Sequence, residues 1–272
     1  KTQIAIAQKF VEENDYVDYN LFKYIDFFQK IGLIDASDYN LLHYGTNDEI
    51  QIFFQREGIS RELSKLLSKK YLDIEDFKAL VSPKAEKYLE QMAFMSRNIT
   101  QKRFGKVMQF YIPMYLSNEC SNHCIYCGFN HNNQIGRITL SDEQILEEIK
   151  AIKAMGYDNV LLLTGENHKN AGVSYIENAI KLCRPYFSAI NLEVFPMKTE
   201  EYERLIQAGA NSVYVYQETY NESRYKYYHP KGMKSNFEYR LATPERLAMA
   251  GIHKIGMGAL IGLEEWRTEM LF

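Results

Sequence analysis

Phe110-Tyr-Ile-Pro-Met-Tyr-Leu-Ser-Asn-Glu-Cys120-Ser-Asn-His-Cys124-Ile-Tyr-Cys127 is the stretch that decides how this chain is read. Its first half is a short β-rich apolar run, expected as a strand over Gln109–Leu116. Its second half places Cys120, Cys124 and Cys127 within eight residues, as C-x3-C-x2-C. Three thiolates on one loop can hold three irons of a 4Fe–4S cubane and leave the fourth iron without a protein ligand. A structural zinc site asks for four ligands, commonly from paired C-x2-C units. No second pair exists here, and His123 lies inside the loop at a spacing that zinc ribbons do not use. The fourth cysteine, Cys183, stands alone on a helical pattern and reads as a small buried hydrophobe.

Downstream of the loop, short β-rich runs alternate with amphipathic helical stretches. The runs are Asn159–Thr164, Ala189–Pro196, Ser212–Gln217 and Lys254–Leu260, and the helices are Asp142–Met155, Val173–Cys183, Thr199–Ala208 and Thr243–Ala250. Ser141 and Thr199 are expected N-caps, and Gly156, Gly209 and Gly251 mark the helix ends. Such alternation implies parallel strands joined by right-handed crossovers. The expected fold class is α/β, a partial or complete (β/α) TIM-like barrel, with its chemistry at the C-terminal ends of the strands. Upstream of about residue 105 the pattern is helical. Leu21, Tyr24, Ile25 and Phe28 share one face, as do Leu63, Leu66, Leu67 and Tyr71. Two further helices are expected over Asp73–Leu80 and Pro83–Asn98, the second with Ser82 as N-cap. The expected organisation is a helical segment over 1–60, a helical lead-in over 61–105 and a barrel over 106–272. The sequence opens on Lys1 rather than Met and stops at Phe272 inside a helical pattern from Glu264, so both ends read as cut and further strands are expected.

Composition narrows the class of function. With 32 basic and 35 acidic residues and a formal net charge of −3, nothing suggests a nucleic-acid footprint or an anionic membrane surface. No apolar run approaches the ~18 residues of a membrane span. No signal-like segment follows Lys1, which points to a cytoplasmic protein.

C-x3-C-x2-C with an aromatic, Tyr126, before the last cysteine resembles the signature of the radical S-adenosylmethionine (SAM) superfamily. Thr164-Gly165-Glu166 at the next strand end resembles that superfamily's Gly-Glu motif. The resemblance implies a 4Fe–4S cluster on Cys120, Cys124 and Cys127, with SAM chelating the open iron. It also implies that Tyr126 meets the adenine and that Gly165 and Glu166 hold the SAM amino group. From about Leu72 onward the chain further resembles the tyrosine lyases of thiamine biosynthesis, the 2-iminoacetate synthase family. Arg103-Phe-Gly-Lys106, Tyr126-Cys-Gly-Phe-Asn130, Gln217-Glu-Thr-Tyr220, His229-Pro-Lys-Gly232 and Gly256–Leu263 carry that likeness. Gln217–Tyr220 joined to His229–Gly232 also resembles the tyrosine lyase of di-iron hydrogenase maturation. Asn191–Met197 and Leu162–His168 look more like the thiamine enzyme.

What this resemblance implies is cleavage of the Cα–Cβ bond of L-tyrosine to p-cresol and 2-iminoacetate. The 5′-deoxyadenosyl radical from SAM would start it by taking hydrogen from the amino group. It also implies flavodoxin or ferredoxin as electron donor and a thiazole synthase as partner. Among site residues, His229 would contact the substrate phenol, and Glu218 would orient SAM or the tyrosine ammonium. Glu193, a carboxylate inside an apolar strand, would face either the SAM ribose and sulfonium or a lysine or arginine on a neighbouring strand. An arginine is expected to grip a carboxylate, with Arg224, Arg240 and Arg267 as candidates. A non-catalytic iron–sulfur or zinc module would account for the cysteines but not for Gly165-Glu166.

Overall fold

The computed structural model describes Leu66, Leu67, Lys69 and residues 71–271. Expectations for residues 1–60 therefore lie outside the described residues. The chain divides into two compact units, Lys1–Met108 and Gln109–Phe272.

In the first unit, α1 (Ile74–Leu80) opens on Asp73, whose side chain accepts from the Asp76 amide in a capping box. The helix expected from Pro83 is instead a 3-10 turn over Pro83–Tyr88 followed by α2 (Leu89–Phe104). The Ser82 hydroxyl gives no N-cap bond; it donates back to the Ala79 carbonyl at 2.7 Å.

The second unit is built on five parallel strands: β1 (Ile112–Ser117), β2 (Asn159–Thr164), β3 (Ala189–Glu193), β4 (Ser212–Tyr214) and β5 (Lys254–Gly256). They lie side by side in chain order, β1-β2-β3-β4-β5. Between them run α3 (Asp142–Ala154), α4 (Val173–Cys183), α5 (Thr199–Ala208) and α8 (Thr243–Met249). Strands that advance one place at a time through crossovers of one hand put every helix on the same face. A doubly wound sheet reverses its order and covers both faces. The sequential order here is that of a barrel wall.

The helical face carries the core. Ile145, Ile149 and Ile152 of α3, Ile176, Ile180 and Cys183 of α4, and Tyr202, Leu205 and Ala208 of α5 all pack into one buried cluster. Their i, i+4, i+7 or i, i+3, i+6 spacing places each set on one side of its helix. They meet Met114, Leu116, Val160, Leu162, Ile190, Leu192 and Val213 from the strands. Cys183 is fully buried among these side chains, and burial pushes its thiol up to about 12.

Ser141 caps α3 with Gln144 closing the box, as expected. At α5 the cap is Lys198, and Thr199 is already helical, because the Glu201 carboxylate accepts from the Lys198 amide. β3, β4 and β5 are shorter at their C-terminal ends than the apolar runs suggested, while β1 and β2 run to Ser117 and Thr164. Beyond β4 and β5 the pairing continues as separate bonds, Val215 N to Gly256 O, Gln217 N to Gly258 O and Leu260 N to Glu218 O, with an isolated parallel bridge between Glu218 and Ala259. Three short elements between β4 and β5 have no counterpart in the sequence reading: α6 (Glu222–Tyr228), a 3-10 turn at Met233–Ser235 and α7 (Phe237–Leu241). The final helix, α9, covers Trp266–Leu271 and begins later than expected.

Leu162 is fully buried at the centre of this sheet. Leu162→Ala is expected to lower the unfolding free energy by about 2–5 kcal/mol in urea denaturation. Met155→Ala, at an exposed side chain, is expected to change it by less than about 0.5 kcal/mol. Comparable losses in the two variants would contradict this placement of the core.

Candidate active site

Residues 118–131 follow β1 and form no helix or strand, so their backbone polar groups must find partners elsewhere. The end of β2 provides several. The Gly165 amide donates to the Ser117 carbonyl at 2.9 Å, while the Ser121 amide and hydroxyl both donate to the Glu166 carbonyl at 2.9 Å. Asn122 Nδ2 donates to Glu166 Oε2 at 2.6 Å. Arg137 donates to the carbonyls of Asn118, Phe129 and Asn130 at 2.7, 3.0 and 2.7 Å. Close approach at the β2 end requires glycine, since a Cβ on Gly165 would lie 2.3 Å from the Glu119 carbonyl oxygen.

Cys120, Cys124 and Cys127 all line a cavity of about 340 Å³ at the C-terminal ends of β1–β4. Burial pushes the Cys124 thiol up to about 11, with Lys234 pulling it down. Such a thiol gives up its proton when a metal cation takes its place. Among the described residues, no three His, Cys, Asp or Glu side chains converge so as to hold a single metal ion. A cubane instead presents three separate iron corners to three thiolates.

Across the cavity stand Glu193, Glu218, Lys234 and Arg240. Glu218 has φ +72°, a left-handed backbone that a non-glycine residue adopts at a cost of about 1–3 kcal/mol. It is held there by the Leu260 amide, which donates to its carbonyl at 2.7 Å, and by Lys234 Nζ, 2.8 Å from its carboxylate. Arg240 is buried, donates from Nε to the Tyr216 carbonyl at 2.7 Å, and approaches Glu218 to 3.9 Å. Glu193 has no ion-pair partner among the described residues. Burial and then the neighbouring Glu218 push its carboxyl above the usual range.

The structure therefore gathers the three cysteines, Tyr126, Gly165, Glu166, Glu193 and Glu218 around one cavity. His229 is not part of its lining. The ring is fully buried behind Tyr126, whose hydroxyl lies 2.7 Å from Nε2, and its Nδ1 lies 2.9 Å from the Tyr225 carbonyl. With both ring nitrogens engaged inside the protein, the phenol contact expected from the sequence is not what this geometry offers. Of the arginine candidates, Arg240 faces the cavity, while Arg224 is drawn to Glu264 at 2.9 Å. The Arg267 side chain lies outside the described residues. Asn122 and Lys234 were missed by the sequence reading. Asn122 sat in plain view at a variable position of the cysteine motif, whereas nothing in the pattern around Lys234 singles it out.

Residues 114–272 match the family model of the radical SAM superfamily. The chain belongs to the radical SAM superfamily. It is 45% identical over 209 residues to 2-iminoacetate synthase of Escherichia coli (strain K12), covering 76% of this chain and 55% of that one. The Salmonella typhimurium enzyme of the same name is 44% identical over the same length. The chain thus spans about half the length of the curated relatives it matches. Among solved structures it resembles the FeFe-hydrogenase maturase HydG from Carboxydothermus hydrogenoformans, at 32% identity and a TM-score of 0.73 over 83% of this chain and 56% of that one. That likeness extends to the TIM-like radical SAM fold. Radical SAM proteins use a 4Fe–4S cluster and SAM, and the residues here fit both groups. Three thiols face one cavity, no fourth thiol reaches it, and the same cavity is lined by carboxylates and cations of the kind a zwitterionic ligand pairs with.

Two outcomes follow from this geometry. Gly165→Ala is expected to displace Glu119 and Cys120 and to lower iron content after anaerobic reconstitution. Gly156→Ala, which meets nothing within 4 Å but has φ +84°, should cost about 1 kcal/mol of stability and leave iron content intact. Equal iron in both variants would contradict the packing described. Burial, assisted by Lys234, lowers His229 from its ordinary 6.5 to about 3. The unfolded chain then binds more protons than the folded one between those values. Stability is complete above about pH 6.5 and is lost as pH falls towards about 3. Urea denaturation of the cluster-free chain at about pH 7 and about pH 5 should show a smaller loss in His229→Gln than in the wild type.

Proposed function

We propose that this chain carries the catalytic half of a tyrosine lyase that cleaves the Cα–Cβ bond of L-tyrosine to p-cresol and 2-iminoacetate, for thiazole formation in thiamine biosynthesis. The observation that carries this reading is the 45% identity to 2-iminoacetate synthase of Escherichia coli over 209 residues. The motifs Gln217–Tyr220 and His229–Gly232, which resemble those of the tyrosine lyases, add to it.

When bound, the cluster and SAM supply the hydrogen-abstracting radical. The chain's own residues bind, orient and exclude water. Cys120, Cys124 and Cys127 hold the cluster, and Tyr126, Gly165 and Glu166 border the space left for SAM. Two amino-acid head groups, those of SAM and tyrosine, must be accommodated. Lys234 and Arg240 suit their carboxylates, while Glu193 and Glu218 suit an ammonium or the sulfonium. The 2-iminoacetate product hydrolyses in water, so the site must exclude water while it forms. Transfer to a thiazole synthase would protect it further, and flavodoxin or ferredoxin would deliver the electron.

The likeness to HydG supports a second reading, a maturase-type tyrosine lyase. One assay separates them. The full-length protein, reconstituted and reduced without oxygen, is given SAM and L-tyrosine, and the products are separated by chromatography. We expect p-cresol, 5′-deoxyadenosine and glyoxylate from imine hydrolysis, no cyanide, and none of these products from Cys124→Ala. Cyanide would favour the maturase reading. Deoxyadenosine without p-cresol would sink the tyrosine assignment while leaving the family intact.

A further inference from the structure

The segment from Tyr228 to Lys234 lies across the cysteine loop and bonds to it along its length. The Ile125 amide donates to the Tyr228 carbonyl at 3.1 Å, and the His123 amide donates to the Lys231 carbonyl at 3.0 Å. In the other direction, the Lys234 amide donates to Asn122 Oδ1 at 2.9 Å. Gly232 has φ +100°, and a Cβ there would lie 2.3 Å from Asn122 Oδ1 and 2.8 Å from Asn122 Cα. Only glycine allows this approach.

His229 supplies the side-chain contact. A carbonyl can only accept, so the 2.9 Å contact with the Tyr225 carbonyl places the hydrogen on Nδ1. In a neutral ring Nε2 then carries the lone pair, and the Tyr126 hydroxyl must donate to it at 2.7 Å. The Tyr225 ring packs on the imidazole with centroids 4.0 Å apart, and Tyr126 meets it edge-on at 5.5 Å. Tautomer, orientation and partner are thus all set from within the protein. At the far end of the same segment, Lys234 Nζ stands 5.7 Å over the Tyr126 ring and 2.8 Å from the Glu218 carboxylate.

We propose that Tyr228–Lys234 is a strap that pre-forms the cluster loop, and that His229 is its positioning residue, accepting the Tyr126 hydroxyl hydrogen so that Tyr126 and the flanking thiols are set before cluster and SAM bind. Through Lys234 the strap also ties the cofactor side of the cavity to Glu218 at the end of β4. This role holds whatever substrate the enzyme cleaves, and it differs from contact with a substrate phenol. It gives His229, Lys231 and Gly232 one shared purpose: an imidazole, a carbonyl and a glycine face a single loop, with the Tyr228 carbonyl beside them.

The test compares Tyr126→Phe, His229→Leu, His229→Gln and the Tyr126→Phe/His229→Leu double variant in the full-length protein. Two quantities are read: hydrogen exchange at the His123 and Ile125 amides of the cluster-free chain, and SAM affinity of the reconstituted protein from its EPR titration. Losing one such bond should speed exchange and weaken SAM binding by up to roughly tenfold in each single variant. The double variant should be no worse than the more affected single variant, because both remove the same bond. His229→Gln, which keeps an acceptor, should recover most of the loss. If His229→Leu does not fold, Tyr126→Phe and His229→Gln still decide the matter. Additive losses in the double variant would overturn the proposal. So would unchanged loop exchange and SAM affinity in Tyr126→Phe, or in a folded His229 variant that has lost only substrate cleavage.

Discussion

Eight residues without secondary structure must present three thiols to one cavity, and their backbone has no ladder of its own to stabilise it. Unpaired polar groups at such a site cost about 1–3 kcal/mol each, so the loop is only as well defined as the partners brought to it. The sequential parallel sheet brings the first of these. β1 and β2 are paired neighbours from Ile112 with Val160 to Ser117 with Thr164, with a bulge between Tyr115 and Ser117. The end of β2 therefore arrives beside the start of the cysteine loop, where Glu166 meets Ser121 and Asn122. Asn122 is the junction: its amide nitrogen binds Glu166, and its amide oxygen receives the Lys234 backbone. One buried side chain thus joins the loop to both the β2 end and the strap.

The opposite wall of the cavity depends on the balance of charge. Glu218 and Glu193 both face inward, and two close carboxylates in a low-dielectric site repel. Lys234 and Arg240 offset that repulsion, with Lys234 closely paired to Glu218. Among the described residues Glu193 has no cation of its own, and burial makes it hold its proton more tightly than an ordinary glutamate. A cationic ligand placed beside it would reverse that tendency. A site with two anions and two cations is better suited to zwitterions than to a singly charged ligand.

Much of this was legible in the sequence because it depends on local pattern. The cysteine spacing, the alternation of β-rich runs with helices, and the bounds of α4 and α5 follow from short-range periodicity and composition. Gly165 and Glu166 could be placed because a strand end precedes them. What escaped depends on long-range packing. The apolar runs of Ala189–Pro196 and Ser212–Gln217 continue past the ladder into cavity lining, and hydrophobicity alone does not mark where pairing stops. α6 and α7 are too short and too rich in tyrosine for a clear helical period. Lys234 sits in an unremarkable polar stretch, and only the return of the chain across the cysteine loop brings it to Glu218. His229 was singled out by its motif, but the burial of its ring behind Tyr126, which itself lines the cavity, is a tertiary fact.

The central claim is that Cys120, Cys124 and Cys127 hold a 4Fe–4S cluster with one iron open to SAM. EPR of the reduced, anaerobically reconstituted protein, recorded with and without SAM and alongside iron and sulfide analysis, tests it most directly. The account predicts about four irons per chain, a cluster signal that changes shape when SAM is added, and loss of that signal on replacing any of the three cysteines with alanine. A cluster signal that SAM leaves unchanged, or one tightly held zinc in place of iron, would contradict it.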